Sequence, residues 1–125
     1  MDKQRQELAM QRLYNENRRK NEQDFSDLKK QKNLLEEKRA EMFELKKRMT
    51  SYLDSTVGEL QRRGAREDVC ELEEFGVCFQ HEYRKGTHEL DREQAELERR
   101  GKKLYLQKEE NEKQYRQAIS DIGKG

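Results

Sequence analysis

The chain has 125 residues, of which 44% are charged and 30% hydrophobic, with 28 Lys+Arg against 27 Asp+Glu. A compact globular domain uses about 45–50% apolar residues, so a sizeable buried core is excluded. No apolar run approaches the roughly 18 residues of a membrane span, and no charged segment followed by an apolar stretch marks a secretory signal. Few hydrophobic residues with many charges also describe disorder, but three features point to helix. Proline is absent, where an average chain of this length carries about six. Glu, Lys, Arg, Gln and Leu dominate, and all are good helix formers. The charges are mixed in sign, so the chain does not repel itself. This is the composition of a coiled coil or a long helix. Cys70 and Cys78 are too few for a disulfide framework and suit a reducing compartment such as the cytosol.

The first predicted element runs over 3–62. Tyr14, Leu28, Leu35, Met42 and Met49 recur at seven-residue steps, with Asn21 on the missing beat. A second row is read as Phe25, then Leu45 and Tyr52, then Leu53 and Leu60. This is a narrow helical stripe. Arg62, Arg63 and Gly64 read as a helix C-terminus, and residues 63–67 as a turn. Asp68 with Glu71 fits a capping box opening a second helix over 68–121. Val69, Gly76, Tyr83, Leu90, Leu97, Leu104, Asn111 and Ala118 step by seven along it; Leu72, Phe75 and Phe79 add to it early, and Tyr115, Ile119 and Ile122 late. Each helix is on the order of 80–90 Å long.

A turn centred near residue 66 predicts an antiparallel pairing of Met49 with Tyr83, Met42 with Leu90, Leu35 with Leu97, Leu28 with Leu104, and Tyr14 with Ala118. Asn21 then meets Asn111, Leu53 meets Phe79, and Leu13 meets Ile119. Residues 1–63 hold 16 Lys+Arg and 12 Asp+Glu, net +4, and residues 64–125 hold 12 and 15, net −3, so the two arms attract. The fold class is therefore all-α: two long helices in an antiparallel coiled-coil hairpin, one unit over 1–125. The rival is one continuous helix in a parallel dimer. The middle of the hairpin reads as weak. Lys32, Lys38 and Arg39 face Gly86, Glu93, Gln94 and Gly101, Arg39 is expected to pair with Glu93, and each glycine costs about 1 kcal/mol relative to alanine.

No constellation for catalysis is found. Cys78 and His81 are one helical turn apart, but His88 and Cys70 lie too far along the axis to join one zinc ion. Gly58 and Gly64 have phosphate-loop spacing, but Ala65 and Arg66 follow where Lys and Ser/Thr are required. Glu36–Glu37 and Glu109–Glu110 lie on a solvated face with no pocket to shift their pKa values. No catalytic, cofactor-binding or metal residues are assigned, and an enzyme is not expected. Arg18-Arg19-Lys20 and Lys29, Lys30 and Lys32 are basic runs, but Glu22, Asp24 and Asp27 interrupt them. The net charge of +1 falls far short of the basic footprint of a nucleic-acid binder. Phe43 lies beside the seam, where a two-helix coil leaves apolar residues exposed. The Phe43 and Phe75 region is a candidate docking surface.

Glu73-Glu74-Phe75, then Phe79-Gln80-His81, then a polar run of Glu, Arg, Lys and Gln to Tyr115 carry a resemblance. With its size, charge and hairpin topology, the chain resembles the stalk proteins of type III secretion and flagellar export, the FliJ/YscO/EscO family. The resemblance implies a non-catalytic central stalk at the cytoplasmic face of a bacterial secretion apparatus. Its coiled coil would enter the hexameric export ATPase ring, stimulate the ATPase and link it to the export gate. The ring-contacting residues would be Arg5, Arg12, Arg18, Arg19, Lys113 and Arg116. The gate-contacting residues would be Met42, Leu45, Met49, Phe75 and Phe79. Secretion chaperones are further candidate partners, and nucleic acid and membrane insertion are not expected. The alternatives are a generic coiled-coil scaffold or secretion chaperone, and a helical hairpin that grips nucleic acid.

Overall fold

The computed structural model describes residues 2–124. Two helices account for nearly all of them: α1, Asp2–Arg62, and α2, Arg66–Lys124. They pack on each other as an antiparallel hairpin. Asp2 lies in the first turn of α1, and Glu67 and Asp68 lie in that of α2. Arg62 and Lys124 lie in the last turns. These placements complement the partial charges at the helix ends.

The turn shows how the local sequence stops one helix and starts the next. Gly64 has a φ of 72°, which glycine adopts without the Cβ penalty of other residues. Its N–H donates to the Gln61 carbonyl at 3.1 Å, and the Ala65 N–H donates to the Leu60 carbonyl at 3.0 Å. Together these form a Schellman motif, which satisfies two carbonyls left open by the end of α1. The Ala65 carbonyl then already accepts the Val69 N–H at 3.1 Å. The second helix thus begins at Arg66, not at residue 68, and the turn is 63–65 rather than 63–67. Asp68 lies inside the first helical turn, so the expected Asp68–Glu71 capping box is not the start signal. At the far end α2 continues to Lys124, beyond the expected 121.

The shorter turn moves the register. Tyr14 stacks on Tyr115, with ring centroids 4.4 Å apart, instead of meeting Ala118. The Asn21 amide donates to the Leu104 carbonyl at 3.3 Å, while Asn21 and Asn111 line one groove. Arg39 pairs with Asp91 at 2.6 Å and donates to Gln94 at 2.7 Å, not to Glu93. Leu53 lies against Gly76 and lines one groove with Phe79. Leu13 is half exposed, contrary to the expected contact with Ile119. The Tyr14–Tyr115 and Leu53–Gly76 contacts lie three residues nearer the turn along α2 than the predicted pairs, and Arg39–Asp91 two, the direction a turn centred on Gly64 requires.

The second row of α1 is also corrected. Leu45 is 49% exposed and Tyr52 58% exposed, so neither belongs to the seam. Phe75, added to the α2 stripe from sequence, is 50% exposed. Beside the row of Tyr14, Asn21, Leu28 and Met42, a second seven-residue row of α1 reaches α2 through Lys32, Arg39, Lys46 and Leu53. Three cations therefore occupy the flank of the seam. Their long apolar stems cover it while their charged ends stay wet.

The contacts divide the chain into two compact units. Unit 1 combines residues up to Lys32 with those from Ala95 onward, and unit 2 is Asn33–Gln94. In unit 1, Leu28 and Leu97 are buried together with the polar Asn21. In unit 2, Leu35, Val69 and Leu90 are buried. Glycines of α2 let α1 side chains approach closely. A Cβ on Gly101 would lie 3.3 Å from a Leu28 methyl, and one on Gly86 would lie 2.7 Å from the Met42 methyl. The helix-propensity cost of these glycines is thus partly offset by packing that a larger residue would obstruct.

Candidate functional site: a basic unit and an exposed apolar unit

The residues proposed to contact an ATPase ring all lie in unit 1. Arg5, Arg12, Arg18, Arg19, Lys113 and Arg116 are all exposed. Spacing on a helix explains their local partners, since residues four apart face one another. Arg18 lies 3.3 Å from Glu22, and the Arg116 Nε donates to the Glu112 carbonyl at 3.4 Å. Lys113 and Arg116 line a groove with Glu109, Glu112 and Gln117. Beside the stacked Tyr14 and Tyr115 rings, a groove of about 270 Å³ is lined by Arg18, Asn21, Glu22, Phe25, Lys108, Asn111 and Glu112. Its cations and carboxylates balance, so it lacks the one-sided field that captures a small anion.

Unit 1 as a whole is not balanced. It carries 17 Lys+Arg and 12 Asp+Glu, net +5, whereas unit 2 carries 11 and 15, net −4. Division of the sequence at the turn hides this contrast, because each unit draws on both arms.

The residues proposed to contact an export gate all lie in unit 2, but they do not share one environment. Met42 and Met49 are half-buried, the former against Gly86. Phe79 is half-buried and stacks near Tyr83, with centroids 6.3 Å apart. Leu45 and Phe75 are the two with about half their surface free. Phe43 is similarly exposed and lies under the Lys47 ammonium at 4.7 Å.

A groove of about 290 Å³ brings Phe79 and Tyr83 together with Leu53, Gly76, Lys46 and Thr50. The Lys46 ammonium sits 5.0 Å from the Tyr83 centroid, within cation–π range. The sequence reading assigned neither Lys46 nor Tyr83 to a site. The signal was present in the row Arg39, Lys46, Leu53, but a lysine at a seam position does not stand out in a chain with so many lysines. Val77 and Leu106 are further exposed hydrophobics, at 68% and 63%, that lie off both heptad rows.

Exposed Tyr105 has its phenol pushed up, first by the hydrogen bond it donates to the Glu109 carboxylate, then by that carboxylate's charge. Cys70 and Cys78 are free, exposed thiols. Among the described residues, no group of three or more His, Cys, Asp or Glu is placed to hold a metal ion. No helix among them is long and apolar enough to cross a membrane. The chain matches no protein-family model, no curated protein and no solved structure.

Proposed function

We propose that the chain is a non-catalytic stalk of a type III secretion apparatus, engaging the hexameric export ATPase through unit 1 and the export gate through unit 2. The observation that carries this reading is the segregation of net charge between the two units of an antiparallel hairpin. The unit that bears both chain ends is basic, and Leu45 and Phe75 are exposed on the other. A ring presents six equivalent surfaces to one asymmetric hairpin. Weak, salt-screened polar contacts suit that geometry, because they do not lock one orientation. Exposed aliphatic and aromatic residues suit a partner met by one face, where burial of apolar area supplies the attraction. Secretion chaperones are candidate competitors for the same apolar residues, and the cytoplasmic face of the apparatus is the proposed location.

The test is to add the protein to the cognate hexameric ATPase and measure turnover and binding. Stimulation that falls when Arg5, Arg12, Arg18 and Arg19 are changed together to Glu supports the stalk. No binding and no change in turnover removes it. The exposed apolar residues also favour a second reading, a coiled-coil scaffold or secretion chaperone. Pull-down of structural or effector proteins without any ATPase would identify it.

A further inference from the structure

The charge contrast between the two units carries an inference independent of the stalk reading. Among the described residues, five hydrophobic side chains are buried, so much of the apolar surface remains available for a partner. Exposed apolar residues occur in both units. Leu8, Leu13, Tyr105 and Leu106 lie in unit 1, and Leu34, Phe43, Leu45, Tyr52, Phe75 and Val77 in unit 2. The partner must therefore offer apolar contacts to both units, an acidic surface to unit 1 and a basic surface to unit 2. A second copy of this chain has these properties.

We propose that the free protein forms a two-fold homodimer, in which unit 1 of each copy packs against unit 2 of the other. Such an interface is isologous, so the same contact is made twice. Each contact opposes a net +5 to a net −4. Pairing like units would instead oppose +5 to +5 and −4 to −4, so charge selects the crossed arrangement. Juxtaposed like charge is a strong discriminator between arrangements, and complementary charge speeds encounter.

Sedimentation equilibrium of the full chain tests this. A dimer is expected at about 50 mM salt, with its dissociation constant rising at least about tenfold near 500 mM, as screening shortens the reach of each charge. Two variants then test which surfaces meet. Changing Lys29, Lys30, Lys102 and Lys103 to Glu takes unit 1 from +5 to −3. Changing Glu37, Glu41, Glu73 and Glu74 to Lys takes unit 2 from −4 to +4. All eight positions are exposed.

The first variant is acidic in both units and the second is basic in both. Each alone is expected to be monomeric at low salt, and an equimolar mixture is expected to form a heterodimer. A wild-type protein that is monomeric at both salt concentrations would overturn the proposal. So would a salt-insensitive dimer, growth into species larger than a dimer, or a mixture that stays monomeric. Circular dichroism checks that each variant remains helical. Should either lose its helix, the wild-type salt dependence decides alone.

Discussion

Three glycine-to-alanine substitutions test the packing register more sharply than any deletion. Alanine stabilises a helix interior by about 0.8–1.0 kcal/mol relative to glycine. At Gly58, nothing lies within 4 Å of an added Cβ, so that full gain is expected. At Gly86 the added methyl would come within 2.7 Å of the Met42 Cε. Met42 is half-buried, and its unbranched thioether can swing aside. The loss of that contact offsets most of the gain, and a net change within about 0.5 kcal/mol of zero is expected.

At Gly101 the neighbour is a Leu28 methyl at 3.3 Å, and Leu28 is only 6% exposed. Leu28 is branched and nearly buried, so it yields less readily than the unbranched Met42. Overpacking of this kind costs about 1–3 kcal/mol. The net effect is destabilisation by about 1 kcal/mol, despite the better helix former. Urea titrations followed by circular dichroism read all three variants on one scale, because a change in midpoint at constant slope is a change in stability. The expected order is Gly58→Ala above Gly86→Ala above Gly101→Ala. If Gly101→Ala stabilises as much as Gly58→Ala, Leu28 does not lie over Gly101 and the register argued from these contacts is wrong.

Gly64→Ala places a Cβ on a residue with positive φ. It should destabilise the hairpin by about 1 kcal/mol, seen as a lower melting midpoint, and an unchanged midpoint would deny the Schellman turn. Asn21→Leu should raise stability by about 1 kcal/mol, because a buried polar residue at a seam position costs stability; the Leu104 carbonyl to which Asn21 donates lies within α2 and keeps a helical donor. Urea midpoints check this, and a loss of stability would show that the Asn21 bond outweighs burial. Glu109→Gln removes the carboxylate that raises the Tyr105 phenol, so Tyr105 should ionise at lower pH in the variant. In the native chain this contact contributes below the ordinary tyrosine range and is lost as pH rises through the elevated value. NMR titration of the tyrosine rings reads the shift directly, and an unmoved Tyr105 curve would contradict the contact.

The surface features are legible unevenly. The exposure of the terminal arginines and of Phe43 follows from sequence, because a two-helix coil buries only a seam and solvates the rest. The position of Lys46 over Tyr83 does not follow, since an amphipathic lysine stem can serve a seam or a surface equally. The division into a basic and an acidic unit was also hidden. It pairs residues far apart in the chain, and summing along either arm averages it away.

Two helices, their antiparallel packing and the main heptad rows were determined by the sequence itself. The absence of proline, the run of strong helix formers and the Arg62-Arg63-Gly64 stop leave little alternative. The tertiary structure decided the register and the second row. Heptad periodicity repeats every seven residues and constrains only which face is apolar, so several alignments bury comparable side chains. The choice among them was made by the turn. The Schellman motif at Gly64 passes the chain into α2 at Arg66, without waiting for Asp68. That displacement set Tyr14 on Tyr115 and brought Leu28 and Met42 over glycines.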